Sequence, residues 1–137
     1  MASILKVDDL RGNTAAGDIT ITSEGGSATM QLQQGVAKAW VNLDGSGTVT
    51  LLDSFNIASV GDNGTGDFTF NFSNNMSNTT YCPVADVQST VLTYSLKNTG
   101  IHTLTTSSER HTFGSGASET GKQDLAMNTV LFAGDLA

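Results

Sequence analysis

Phe68, Phe70 and Phe72 alternate with Thr69 and Asn71. A repeat of two places three rings on one face of a strand. Phe55 and Ile57 share a face in the same way just upstream. Between the two runs, Gly61-Asp62-Asn63-Gly64-Thr65-Gly66 supplies residues that tolerate the positive φ a chain reversal needs. The pattern predicts a hairpin over 55–72 and a core that grows from it.

The same reading extends along the chain. Residues 41–43, a turn at Asp44-Gly45-Ser46-Gly47 and residues 48–52 predict a second hairpin, with Val49 and Leu51 on one face. Downstream, 79–87 reads as a strand whose Pro83 belongs at an edge or a bulge. Residues 91–96 alternate, Asn98-Thr99-Gly100 turns the chain, 101–106 returns it, and 126–133 closes the domain. Residues 107–124 read as a long polar stretch with Gly114, Gly116 and Gly121. Short strands with turns at this spacing predict a mainly β fold, an antiparallel β-sandwich of jelly-roll-like kind, over 41–137.

Two segments precede it. Leu32, Val36 and Trp40 recur every four residues over 28–40, which predicts one short helix. Gly35 weakens it by about 1 kcal/mol relative to alanine. Leu32, Val36, Ala39 and Leu43 also fit a short heptad-like seam, so the helix packs either on its own domain or in a bundle between subunits. Residues 1–27 hold two short alternating runs, 3–7 and 18–21, split by polar and glycine-rich loops. Such strands cannot bury a core alone. Ile4, Leu5, Val7, Ile19 and Ile21 therefore need shelter from other copies of the chain, and 1–27 is expected to attach and oligomerise. Trp40 reads as a core or interface anchor rather than a sugar platform.

Composition narrows the function. A chain of 137 residues makes one domain of ordinary size. Only 14% of it is charged, and the net charge of -7 repels phosphate backbones. Lys6, Arg11, Lys38, Lys97, Arg110 and Lys122 are scattered, so no nucleic acid is expected as a partner. Cys82 is the sole cysteine, which excludes an intramolecular disulfide, and it is expected to be a small, semi-buried strand residue. The first ten residues have no apolar core and contain Asp8-Asp9, which predicts a chain first folded in a cytoplasm. No run reaches the length of a membrane span, and no membrane insertion is expected.

Catalytic patterns are weak throughout. His102 and His111, with Glu109 beside the second, fall short of the three or four ligands a metal site wants. Asp62, Asn63 and Asp67 lie in a glycine-rich loop, but not at the spacing of an EF-hand, and read as turn formers. Ser46 and Ser115 sit in glycine turns rather than in a nucleophile elbow. Asp53, Asp62, Asp67 and Asp86 offer no distinguished pair for glycoside cleavage. No enzyme activity, cofactor or metal is expected.

The order Leu32-Gln33-Gln34-Gly35-Val36-Ala37-Lys38-Ala39-Trp40-Val41-Asn42, then Gly45-Ser46-Gly47-Thr48-Val49, then Ser54-Phe55-Asn56-Ile57, resembles a module of bacteriophage tail-fibre and related virion proteins. The turn Asp62-Asn63-Gly64-Thr65-Gly66-Asp67, the strand 68–72, the Asn/Met-rich loop after it and Tyr81 continue the likeness. So does Leu5-Lys6-Val7-Asp8-Asp9-Leu10, which is similar to the short repeats that precede that module. The resemblance covers roughly residues 3–85, and 128–134 look like the module's end. It implies a virion protein that assembles as a homotrimer, meets other virion proteins through its first segment, and contacts a host surface glycan or protein. On this reading, Ile4, Leu5, Val7, Ile19, Ile21, Leu32, Val36 and Trp40 form the oligomer interface. Asp62, Asn63, Asn75 and Asn78 lie on receptor-contact loops, with 107–124 as a third loop. The alternative is a capsid decoration or cement protein, suggested by the lack of a shaft. A free carbohydrate-binding module is a third class, against which the few candidate aromatics count.

Overall fold

A computed structural model describes residues 5–13, 19–22, 25–26, 28–88, 97–115 and 121–137. The chain divides into two units, Met1–Val36 and Ala37–Ala137.

In the first unit, β1 (Thr20–Thr22) pairs antiparallel with β2 (Thr29–Gln31), placing Ile21 opposite Met30. The Leu32 amide extends the pairing by donating to the Ile19 carbonyl, 2.7 Å away. The helix expected over 28–40 is reduced to one 3-10 turn, Gln33–Gly35. Three causes act together. Leu32 at the turn's start offers no side-chain cap, Gly35 weakens continuation, and Val36 is already extended, with φ -111 and ψ 147. Ala39 and Trp40 then join a ladder, which satisfies their backbone groups better than a marginal helix does. The strand expected at 3–7 is not formed by residues 5–7; Ile4 lies outside the described residues.

The second unit is an antiparallel β-sandwich. Its strands are β3 (Ala39–Asp44), β4 (Thr50–Phe55), β5 (Ile57–Asp62), β6 (Asp67–Phe72), β7 (Cys82–Gln88), β8 (Lys97–Leu104), β9 (Ser108–Ser115) and β10 (Met127–Ala133). One sheet has the order β4-β3-β10-β7 and the other β5-β6-β9-β8. Among the described residues the two sheets hold eight strands, the number in a jelly roll. Here β3–β4, β5–β6 and β8–β9 are hairpins that each stay within one sheet. The neighbours β6 and β7 part company, β6 pairing with β9 and β7 with β10, so the two sheets are interlocked.

The expected alternation on β6 is present. Phe68, Phe70 and Phe72 are buried, together with Ala39, Val41, Leu43, Phe113, Val130 and Phe132. Phe132 meets Phe72 edge-on with ring centroids 5.1 Å apart, and Phe70 at 6.4 Å. Edge-on contact places ring hydrogens against a π-face, the favoured geometry for such pairs. Phe55 and Ile57, however, do not share a face of one strand. Asn56 between them has φ 58, and the chain there leaves one sheet for the other. Asparagine tolerates this conformation because its side chain replaces lost backbone partners. Asn56 Nδ2 donates to the carbonyls of Lys38 and Asn74, each at 3.0 Å, and Oδ1 accepts from the Asn74 amide at 2.7 Å.

Pro83 lies on β7, an edge strand, where its missing N–H costs least. Cys82 is exposed at the start of that strand, not semi-buried, because it is the first residue of an edge. Residues 91–96 lie outside the described residues. The polar stretch over 107–124 is not one loop: Ser108–Ser115 is β9, an inner strand of its sheet. Its inward positions are Glu109, His111 and Phe113, two of them ionisable, so hydrophobic alternation is hidden.

Candidate functional site

The four loop residues expected to meet a receptor do not converge. Asp62 and Asn63 stand at the turn before β6, and Asn75 and Asn78 follow its far end. Six residues of strand separate the two ends by roughly 17 Å. At the first end, Asp62 Oδ1 accepts from the Gly64 amide at 2.9 Å, and Asn63 Nδ2 donates to Thr69 Oγ1 at 2.8 Å. Both side chains therefore build the turn. Asp67 is buried, and its carboxylate is gripped by Arg110, whose Nε donates at 2.7 Å to one oxygen and whose second nitrogen donates at 2.8 Å to the other. Lys122 Nζ donates to the same carboxylate at 2.9 Å. The Arg110 hydrogen bond, helped by Lys122, holds the Asp67 carboxyl well below the usual range against the opposing effect of burial.

A lowered folded-state pKa contributes stability that is present above the ordinary aspartate value and lost as pH falls. Asp67→Asn is expected to cost about 1–3 kcal/mol at neutral pH. It is also expected to flatten the fall in stability below about pH 4. Urea denaturation at several pH values checks both.

The second end is a plug. Met76 and Tyr81 are buried, while Asn74, Asn75, Ser77, Asn78, Thr79 and Thr80 are exposed. The Met76 amide donates to the Thr106 carbonyl, the Ser77 amide to Asp135, and the Ala137 amide to Asn75. Tyr81 Oη lies 3.0 Å from the carbonyls of both Thr105 and Ser108. Burial, then the charge of Glu109, pushes its phenol up to about 12. The exposed asparagines thus ride on a fixed scaffold.

Between the sheets lies the Glu109–His111 pair, which the sequence offered only as too few ligands for a metal. His111 Nδ1 and Glu109 Oε1 are 2.7 Å apart, and both side chains are buried. The His111 ring lies 4.9 Å from that of Phe113. Among the described residues, neither Glu109 Oε2 nor His111 Nε2 has a hydrogen-bond partner. The signal in the sequence was Glu109-x-His111-x-Phe113, a repeat of two whose inward face is disguised by two ionisable side chains. Burial raises the Glu109 pKa, and the hydrogen bond to His111 opposes part of that rise. A raised folded-state pKa gives stability that is whole below the ordinary glutamate value and lost as pH climbs through the folded value. Glu109→Gln keeps a hydrogen-bonding group and is expected to remove this loss, so that thermal midpoints of variant and parent converge on acidification. His102 is exposed on β8 and takes no part. Among the described residues, no three His, Cys, Asp or Glu side chains gather where a metal ion could bind.

The remaining feature is the outer face of the β4-β3-β10-β7 sheet. Register places Val84 opposite Leu131, Leu131 opposite Trp40, and Trp40 opposite Phe55. Trp40 and Leu131 alternate with buried Ala39, Val41, Val130 and Phe132, so the row faces outward. Val84, Leu131 and Phe55 are 60%, 45% and 52% exposed, and Trp40 in the middle is half-buried. The adjacent row runs Asp86, Thr129, Asn42, Asp53. With Asp44, the four strands hold three aspartates and no lysine or arginine.

Of the expected interface residues, Leu5, Val7, Ile21 and Val36 are exposed, and Ile19 and Leu32 are half-buried. These six belong to the first unit, whereas Trp40 belongs to the second. No helix among the described residues is long and apolar enough to cross a membrane.

No family model, curated protein or solved structure matches this chain.

Proposed function

We propose that the chain is a bacteriophage virion structural protein, a fibre or fibre-tip module that works as a homotrimer and presents β-sandwich loops to the host surface. The resemblance given above supplies the class. The observation that carries it is the state of the first unit: none of its described residues is buried, and Leu5, Val7, Leu10, Ile21 and Met30 all expose large apolar surface. Surface of that kind favours association. A trimer shelters it without asking anything of the sandwich, which has its own core.

Sedimentation equilibrium of the full chain tests the assembly. The expected mass is three times that of the chain, falling to one chain in a variant carrying Ile21→Asp and Met30→Asp, which face each other across β1 and β2. A monomeric parent overturns the trimer. Antibody labelling of purified particles tests the location. Label on the tail is expected; label on the head replaces the fibre with a capsid decoration protein.

A further inference from the structure

We propose that the outer face of the β4-β3-β10-β7 sheet docks a second protein that presents an apolar ridge flanked by lysine or arginine.

The row Val84–Leu131–Trp40–Phe55 crosses all four strands, a span of roughly 15 Å at the usual strand separation. Four large apolar side chains in line, three of them around half exposed, form a continuous ridge rather than scattered surface hydrophobes. The charge beside the ridge decides what can lie there. Asp53 and Asp86 end the adjacent row, Asp44 lies beyond on β3, and no cation occurs on the four strands. A second copy laid face to face offers these aspartates no cation from its own four strands, and with like rows opposed it sets them against their own kind, which disfavours that pairing. Anionic lipid and nucleic acid meet the same repulsion. A partner with apolar side chains along the row and cations along one flank satisfies both features. An amphipathic helix of about three turns has the required length and stripe.

Trp40, the sole tryptophan, sits within the ridge and reports on it directly. The probe is a tryptophan-free synthetic helix with leucine along one stripe and lysine along one flank. Its counterpart carries glutamate for lysine. Titration into the full chain is expected to shift Trp40 emission to the blue with the lysine peptide and not with the glutamate one. Asp53→Asn with Asp86→Asn is expected to weaken binding about three- to tenfold and to reduce its salt dependence. Leu131→Asn, at an exposed position that leaves the core intact, is expected to weaken binding at least tenfold. Equal binding of both peptides, or unchanged affinity in Leu131→Asn with a native thermal midpoint, overturns the proposal. So does Trp40 emission that shifts with protein concentration alone, which would show the face covered by another copy.

Discussion

Replacing Phe132 with alanine is expected to cost about 3–5 kcal/mol of stability. Phe132 is fully buried on β10, an inner strand of its sheet. Its ring lies 5.1 Å from Phe72, 6.2 Å from Tyr81 and 6.4 Å from Phe70, so it ties β10 to β6 and to the plug after β6. Truncation removes the transfer energy of a benzyl group and leaves a cavity whose walls are rings held by other contacts. Such a site relaxes little, which puts the cost at the upper end. Domains of this size have about 5–15 kcal/mol in total, so the variant would keep a modest remainder. Urea denaturation should show a lower midpoint with an unchanged slope. Phe132→Leu should recover more than half of the loss, because it refills most of the volume.

Gly66→Ala is expected to cost about 2–5 kcal/mol, from two sources. Gly66 has φ 58, where a Cβ costs about 1–2 kcal/mol. That Cβ would also stand 2.3 Å from the Phe113 carbonyl oxygen and 2.6 Å from the Gln123 amide nitrogen, both backbone atoms. Backbone cannot swing aside like a side chain. Relief would stretch the Phe113 amide from the Gly66 carbonyl, now 2.7 Å, and the Gly66 amide from Asp124 Oδ1, also 2.7 Å. Gly47→Ala is the comparison: φ there is 73, but among the described residues nothing lies within 4 Å of a Cβ. It should cost only the conformational part, about 1–2 kcal/mol. Thermal unfolding of the two variants separates crowding from conformation.

Much of the sandwich was legible because its strands obey a repeat of two with glycine-rich turns between them. The three phenylalanines of β6, the β3–β4 hairpin, the edge position of Pro83 and the closing strand all follow from that rule. Three features escaped it. The four-residue spacing of Leu32, Val36 and Trp40 imitates a helix, and pairing in the ladder from Ala39 onward overrides so weak a signal. Asn56 breaks what looks like one strand, since a single positive φ moves the chain between sheets. β9 carries a glutamate and a histidine indoors, and a lone sequence does not say that they face each other. The candidate surface was half visible. Trp40 was singled out, but the row joining it to Phe55, Leu131 and Val84 spans four strands, of which β7 and β10 are distant in sequence, and exists only once register is set.

The chain enters the sandwich at Lys38, whose amide donates to Phe132 and whose carbonyl accepts from Asn56. Ala137 is bonded to Asn75. Lys38 and Ala137 therefore both lie at one pole of the sandwich, beside the Met76–Tyr81 plug. At the opposite pole the turns 45–49, 63–66 and 121–125 are fastened to one another by Gly45 to Leu125 and Gly66 to Asp124. Foreign loops are best grafted there at Gly47, where among the described residues nothing lies within 4 Å of an added Cβ.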